Sequence, residues 1–175
     1  MIIELAIFLV VSIWITVFSW KSLKQPRSHG FFRFFVFEFI LVLLFLNIDY
    51  WFREPFSILQ IISWILLVSS LALAIHGFYL LHQIGKPASG IEDTTTLVIN
   101  GAYKYIRHPL YSSLLLFAWG AFCKDFSILS LILVLIASIF IILTAKFEET
   151  ENLARFGDDY AKYIKKTKMF IPFLF

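Results

Sequence analysis

The chain has 175 residues, of which 60% are hydrophobic and 15% charged, with a mean hydropathy of +0.84. A soluble domain carries about 45–50% apolar and about 25% charged residues, and one of this size has too much surface to hide such an excess. A soluble fold is therefore excluded, and the net charge of +3 points to anionic lipid headgroups rather than nucleic acid.

Five apolar runs follow in chain order. Met1–Trp20 has Glu4 as its only charge. It lacks a basic start and a small-x-small cleavage site, so it reads as a retained span and not a signal peptide. Lys21 to Arg33 is a basic connector, and Phe34–Phe52 is a second run carrying Glu38, Asn47 and Asp49. Ile58–Leu81 is the third. A long polar segment, His82 to Ile106, precedes Leu110–Cys123, and Phe126–Ala145 completes the set. A span needs about 20 apolar residues, so the fourth run suffices only if its helix begins near His108-Pro109. The fourth and fifth runs then form a tight hairpin turning at Lys124-Asp125. The expected fold is all-α and integral to the membrane, with about five transmembrane helices, a C-terminal helical hairpin and a cytoplasmic tail. It forms one membrane domain, 1–175, with three N-terminal spans in 1–81 and a cofactor-binding region in 82–175.

Charge bias gives an independent expectation. With five spans, 13 of the 15 Lys and Arg fall on one side, leaving Arg53 and Lys124 opposite. The positive-inside rule then places the N-terminus outside and the C-terminus in the cytoplasm. A compact chain of this kind fits a prokaryotic inner membrane. Cys123 is the single cysteine, which excludes an internal disulfide and a Cys-rich metal site.

Chemistry-bearing residues gather in the two polar segments that flank the hairpin. In the first, Pro109 is tolerated in the first turn of a helix because its missing N–H would be unpaired anyway. Arg107 and His108 therefore stand at a helix N-terminus, where anions are favoured. They either meet lipid phosphates or serve a site. In the second, Glu148 and Glu149 follow the last span without a break, so the helix should continue past the membrane and stop at Gly157. Adjacent residues on a helix point about 100° apart, so at most one of the two glutamates should face a given pocket directly. Glu151 and Arg155 are spaced for an i,i+4 pair, as are Asp49 and Arg53. Glu38, close to Arg33, is expected to snorkel to the inner boundary. His76 is a candidate substrate contact.

The ordered string Leu97-Val98-x-x-Gly101-x-Tyr103-x-x-x-Arg107-His108-Pro109-x-Tyr111, a hairpin, and then Glu148-Glu149 followed by Phe156-Gly157, Tyr160 and Tyr163 resembles the isoprenylcysteine carboxyl methyltransferase and phospholipid methyltransferase superfamily. The likeness runs from about Thr95 to Pro172. It implies a cytoplasm-facing site for S-adenosylmethionine closed by the C-terminal segment, with a lipidic or hydrophobic acceptor entering from the bilayer. The site residues implied for the cofactor are Thr95, Thr96, Leu97, Val98, Tyr103, Arg107, His108, Pro109, Leu110, Tyr111 and Glu148. Glu148, Glu149 and His108 are the catalytic candidates, and no metal is needed. Arg107 suits the cofactor carboxylate, a glutamate its ammonium, and Tyr rings its adenine or cation.

Two positions depart from the pattern. Thr144 stands where carboxyl methyltransferases have an Arg, with Lys146 the nearest cation, so carboxylate and amine acceptors both stay open. Ser112 and Ser113 follow Tyr111 where a Gly is common. Membrane reductases of the sterol type, which use NADPH, are similar around Arg-His-Pro but continue differently after the Pro. A non-catalytic membrane protein of the same fold is the remaining alternative.

Overall fold

A computed structural model describes residues 2–88 and 94–174. Among the described residues six α-helices form: α1 Ile2–Leu23, α2 His29–Leu46, α3 Ile58–Leu80, α4 Pro109–Phe122, α5 Ile128–Phe156 and α6 Asp158–Lys166. Among the described residues no β-sheet is present, only two isolated bridges. The all-α membrane architecture follows directly from the apolar runs, because lipid leaves backbone groups no partner outside the helix itself. α1, α2, α3 with its continuation to Gly85, and α5 are long and apolar enough to cross a bilayer. α4 is shorter at 14 residues, about 21 Å at 1.5 Å per residue.

The helix ends explain where the apolar runs and the helices diverge. α2 begins at His29, ahead of the expected Phe34, because Ser28 caps it by accepting the Phe31 N–H at 3.3 Å. It stops at Leu46, where Asn47 turns away to donate to the Ala121 carbonyl at 2.9 Å and to accept from Ser130 at 3.0 Å. α5 is 29 residues long and carries Glu148 and Glu149 beyond its apolar part, ending at Gly157 as expected. Gly157 adopts φ 55° and ψ −129°, a conformation open essentially to glycine, and so redirects the chain into α6.

Packing sorts the helices into pairs: α3 along α4, α2 along α5, and α1 along α2. Small residues bring α3 and α4 together. A Cβ added at Gly120 would lie 3.2 Å from the Ser63 carbonyl oxygen, and Ser63 and Ser70 donate across to the Gly120 and Ser113 carbonyls at 2.7 Å each. This small-residue, polar-contact interface is the mode available where lipid removes the hydrophobic drive between helices. The main core lies between α2, α4 and α5, around Val36, Leu43, Ala118, Val134, Ala137 and Ile141. α1 keeps most of its apolar residues exposed, as a helix bordered by lipid does.

The bundle has two distinct ends. One gathers the α1–α2 connector, residues 94–108 and the tail. There His29 meets Glu151, and Arg155 donates to the Thr94 carbonyl at 3.3 Å. Glu151 is thus engaged across the bundle by His29 rather than serving Arg155 alone. At the opposite end Lys124 is buried, donates to Gln60 at 2.9 Å, and lies over the Trp64 ring at 3.8 Å. Arg53 at this end stacks over Tyr50, not against Asp49. Glu38 also differs from expectation. It lies midway along α2, accepts from Ser12 at 2.9 Å, and leaves its Oε1 buried without a hydrogen-bond partner. A carboxyl so far from the helix end cannot reach the boundary.

Candidate functional site

Pro109 sets the geometry of the site. It occupies the first position of α4, and a proline restrains the residue before it away from the helical region. His108 consequently turns out of the helix at φ −124° and ψ 63°. Its ring is 3% exposed and stacks near Tyr111 at 5.5 Å and Phe170 at 6.1 Å.

The C-terminal tail zips onto this corner. Arg107 and His108 donate their backbone N–H groups to the Lys168 and Met169 carbonyls at 2.8 and 3.2 Å, and Lys168 donates to Tyr105 at 3.1 Å. Ser112 Oγ lies 3.0 Å from both the His108 and Phe170 carbonyl oxygens. Ser112 therefore fastens the tail to α4. Tyr163 of α6 adds a 2.6 Å bond to the Tyr103 carbonyl.

The paired glutamates take different partners. Glu149 Oε1 accepts from Arg107 Nε at 2.5 Å and lies 3.3 Å from His108 Nε2. Arg107 also reaches the Thr167 and Ile164 carbonyls at 2.6 and 3.3 Å, near the end of α6. Glu148 accepts from Tyr111 at 2.5 Å and from Asn152 at 3.4 Å, with His108 Nδ1 at 3.8 Å. Arg107 and Glu149 thus hold the tail in place, while Glu148 faces a cavity.

That cavity has about 510 Å³ of atom-free space, open solvent at its mouth included. It is lined by Leu81, Thr94, Leu97, Val98, Tyr103, Arg107, His108, Leu110, Tyr111, Glu148, Asn152, Phe156, Tyr160 and Tyr163. Burial, reinforced by the Glu148 charge, pushes the Tyr160 hydroxyl far above its ordinary range, and burial does the same to Tyr163. Both phenols are neutral donors at physiological pH.

Most of the residues singled out from sequence meet here. Thr95, Thr96 and Pro109 do not line the cavity. The Thr95 and Thr96 N–H groups donate to the Gly85 carbonyl at 2.9 and 3.2 Å, closing the segment onto the end of α3, and Pro109 acts through the backbone. Glu149 lies behind Arg107 and His108. His76 accepts the Ala102 N–H at 3.3 Å and so supports the turn before Tyr103. Leu81, Thr94, Asn152, Phe156, Tyr160 and Tyr163 line the cavity without having been singled out for it. Asn152 and Glu148, four apart on α5, share a face. The inward turn of Tyr160 and Tyr163 depends on where Gly157 sends α6.

The phospholipid methyltransferase family model matches residues 58–158, which span α3 to the start of α6 and include most of the cavity. Among individual relatives, the chain is 30% identical over 91 residues to methanethiol S-methyltransferase 1 of Bradyrhizobium diazoefficiens, covering 52% of this chain and 30% of that protein. It is 30% identical over 89 residues to methanethiol S-methyltransferase of Pseudomonas deceptionensis, covering 51% and 31%. The match to the Crocosphaera subtropica methanethiol S-methyltransferase is 31% identical over 72 residues, covering 41% and 28%. The chain thus spans about a third of the length of each of these relatives. The family match covers more than half of the chain, and this protein belongs to the phospholipid methyltransferase family.

Proposed function

We propose that the cavity binds S-adenosylmethionine and that the protein transfers its methyl group to a small hydrophobic acceptor, a thiol or an amine. The observation that carries this reading is the position of Glu148, a carboxylate held by Tyr111 and Asn152 inside a cavity walled by Tyr103, Phe156, Tyr160 and Tyr163. These groups fit the donor: a carboxylate for its ammonium, and aromatic faces for its adenine and sulfonium. When bound, S-adenosylmethionine supplies an electrophilic methyl group on a positively charged sulfur.

The chain's own residues then have separate tasks. Tyr111 and Asn152 orient Glu148. Tyr160, Tyr163 and Phe156 bring α6 over the cavity and exclude water, which strengthens electrostatic interactions within it. His108, 3.3 Å from Glu149 and 3.8 Å from Glu148, is placed to take a proton from an incoming thiol or ammonium.

Charge accounting favours a sulfur or nitrogen acceptor over a carboxylate. The basic groups lining the cavity are Arg107 and His108, and both already engage Glu149. At the position where an acceptor carboxylate would need a cation, Thr144 is fully buried and donates to Phe140 at 2.7 Å. Relatives named for methanethiol S-methylation support the same choice.

Calorimetric titration of the detergent-purified protein tests the reading. Saturable S-adenosylmethionine binding is expected, weakened about tenfold or more by Glu148→Gln through loss of a charge-assisted contact. Absence of binding in folded protein, or preferential NADPH binding, would overturn it.

A further inference from the structure

A second, larger concavity lies on the other side of the His108 corner. It has about 1370 Å³ of atom-free space and runs along α3 and α4, past Leu73, Leu115, Leu116 and Trp119, to Ile171 and Tyr105 beside the tail. It opens on the flank of the bundle, and Tyr105 and Ile171 are about half exposed. A wall separates it from the cavity: the His108 ring on one side, the Phe170 ring on the other, and Ser112 bonded to the backbone of both.

Two exposed lysines flank the tail end of this groove. Lys104 is exposed and lies over the Tyr105 ring at 5.8 Å. Lys168, also exposed, is bridged through its backbone to Ile106 and bonded to Tyr105. Phe173 packs beside Tyr105 at 6.3 Å and is 83% exposed. An apolar groove along α3 and α4 therefore ends beside two exposed lysines among aromatic and apolar side chains. Lysines near such a surface attract anionic lipid, and aromatic residues mark the interface.

We propose that this groove holds an acyl chain of an anionic phospholipid whose phosphate sits between Lys104 and Lys168, as a bound lipid and not as the methyl acceptor. The bound lipid bridges Lys104, from the segment before α4, to Lys168 of the tail. It therefore reinforces from outside the same attachment that Arg107 makes from within.

The test uses delipidated full-length protein in a neutral detergent, titrated with phosphatidylglycerol carrying brominated acyl chains. Trp119 lines the groove, so the fluorescence lost on titration, taken as the difference from Trp119→Phe protein, reports occupancy there. Saturable quenching at about one lipid per chain is expected, at least tenfold tighter than for phosphatidylcholine with the same chains. Lys104→Gln/Lys168→Gln should abolish that preference while leaving the fold intact, since both side chains are exposed. Equal binding of phosphatidylcholine, unsaturable quenching or no quenching would overturn the proposal. So would recovery of labelled methyl in the phosphatidylglycerol after incubation with labelled S-adenosylmethionine. Because the binding readout needs no turnover, its outcome is independent of the methyl-transfer reading.

Discussion

At the scale of single residues, Arg107 illustrates how one side chain joins a site to its cover. Its side chain is 9% exposed and that of its partner Glu149 is 15% exposed. Breaking such a buried pair costs about 3–5 kcal/mol, and without Arg107 the Glu149 carboxylate keeps only its 3.3 Å contact with His108. Arg107→Ala should therefore lower the thermal unfolding midpoint sharply, whereas Arg107→Met/Glu149→Leu should recover most of it. Equal midpoints for the single and double variants would show that the pair is not what stabilises the tail. The buried tyrosines set an alkaline limit. Tyr160 and Tyr163 are held protonated above their ordinary value of 10.0. For a raised folded-state value, the stabilisation is fully present below the unfolded value and is lost as pH rises through the folded one. Stability should be insensitive to these groups up to about pH 10 and fall above it. Unfolding midpoints between pH 8 and 11 check this, and Tyr160→Phe/Tyr163→Phe should flatten the alkaline fall.

At the scale of elements, α1 and α2 meet around a polar pair in an otherwise apolar interface. Glu38 gains one bond from Ser12, while its second oxygen is buried without a partner. An unsatisfied buried polar atom costs about 1–3 kcal/mol. Glu38→Leu should therefore hold or raise the unfolding midpoint, and leave methyl-donor affinity unchanged because Glu38 is remote from the cavity lining. A loss of donor affinity in stable Glu38→Leu protein would instead assign the intramembrane carboxyl a functional role. The short α4 presents the complementary case. Its apolar content alone would leave it a marginal span, but small residues let it lie tightly against α3, and Asn47, Ser63 and Lys124 hold its far end.

At the scale of the molecule, the separation of charge along the chain becomes a separation in space. The connector around His29, the segment around Arg107 and the tail meet at one end, with Lys124 and Arg53 at the other. The positive-inside rule predicts that the first end faces the cytoplasm. In intact cells, a membrane-impermeant thiol reagent should label Phe56→Cys and spare Lys162→Cys, since both positions are exposed and buried Cys123 is silent. The reverse pattern would invert the assignment.

The parts of this protein that sequence determined are those governed by local rules. Apolar length marks the helices, Pro109 and Gly157 mark a start and a stop, and the spacing from Leu97 through Tyr163 identifies the residues of the family pattern. These follow from backbone hydrogen bonding in lipid and from restricted dihedrals, both properties of a few neighbouring residues. Tertiary structure decided how side chains divide their partners. Arg107, a candidate for the cofactor carboxylate, is turned to Glu149 and the end of α6. Glu148 faces the cavity while Glu149 stands behind it, Thr95 and Thr96 close a turn, and Tyr160 and Tyr163 supply walls. The placements of Arg107, Tyr160 and Tyr163 depend on the angle between α5 and α6 and on the tail pairing with residues about 60 positions earlier. A hydrogen bond across that distance has no periodicity to announce it, because it forms only after the helices have packed.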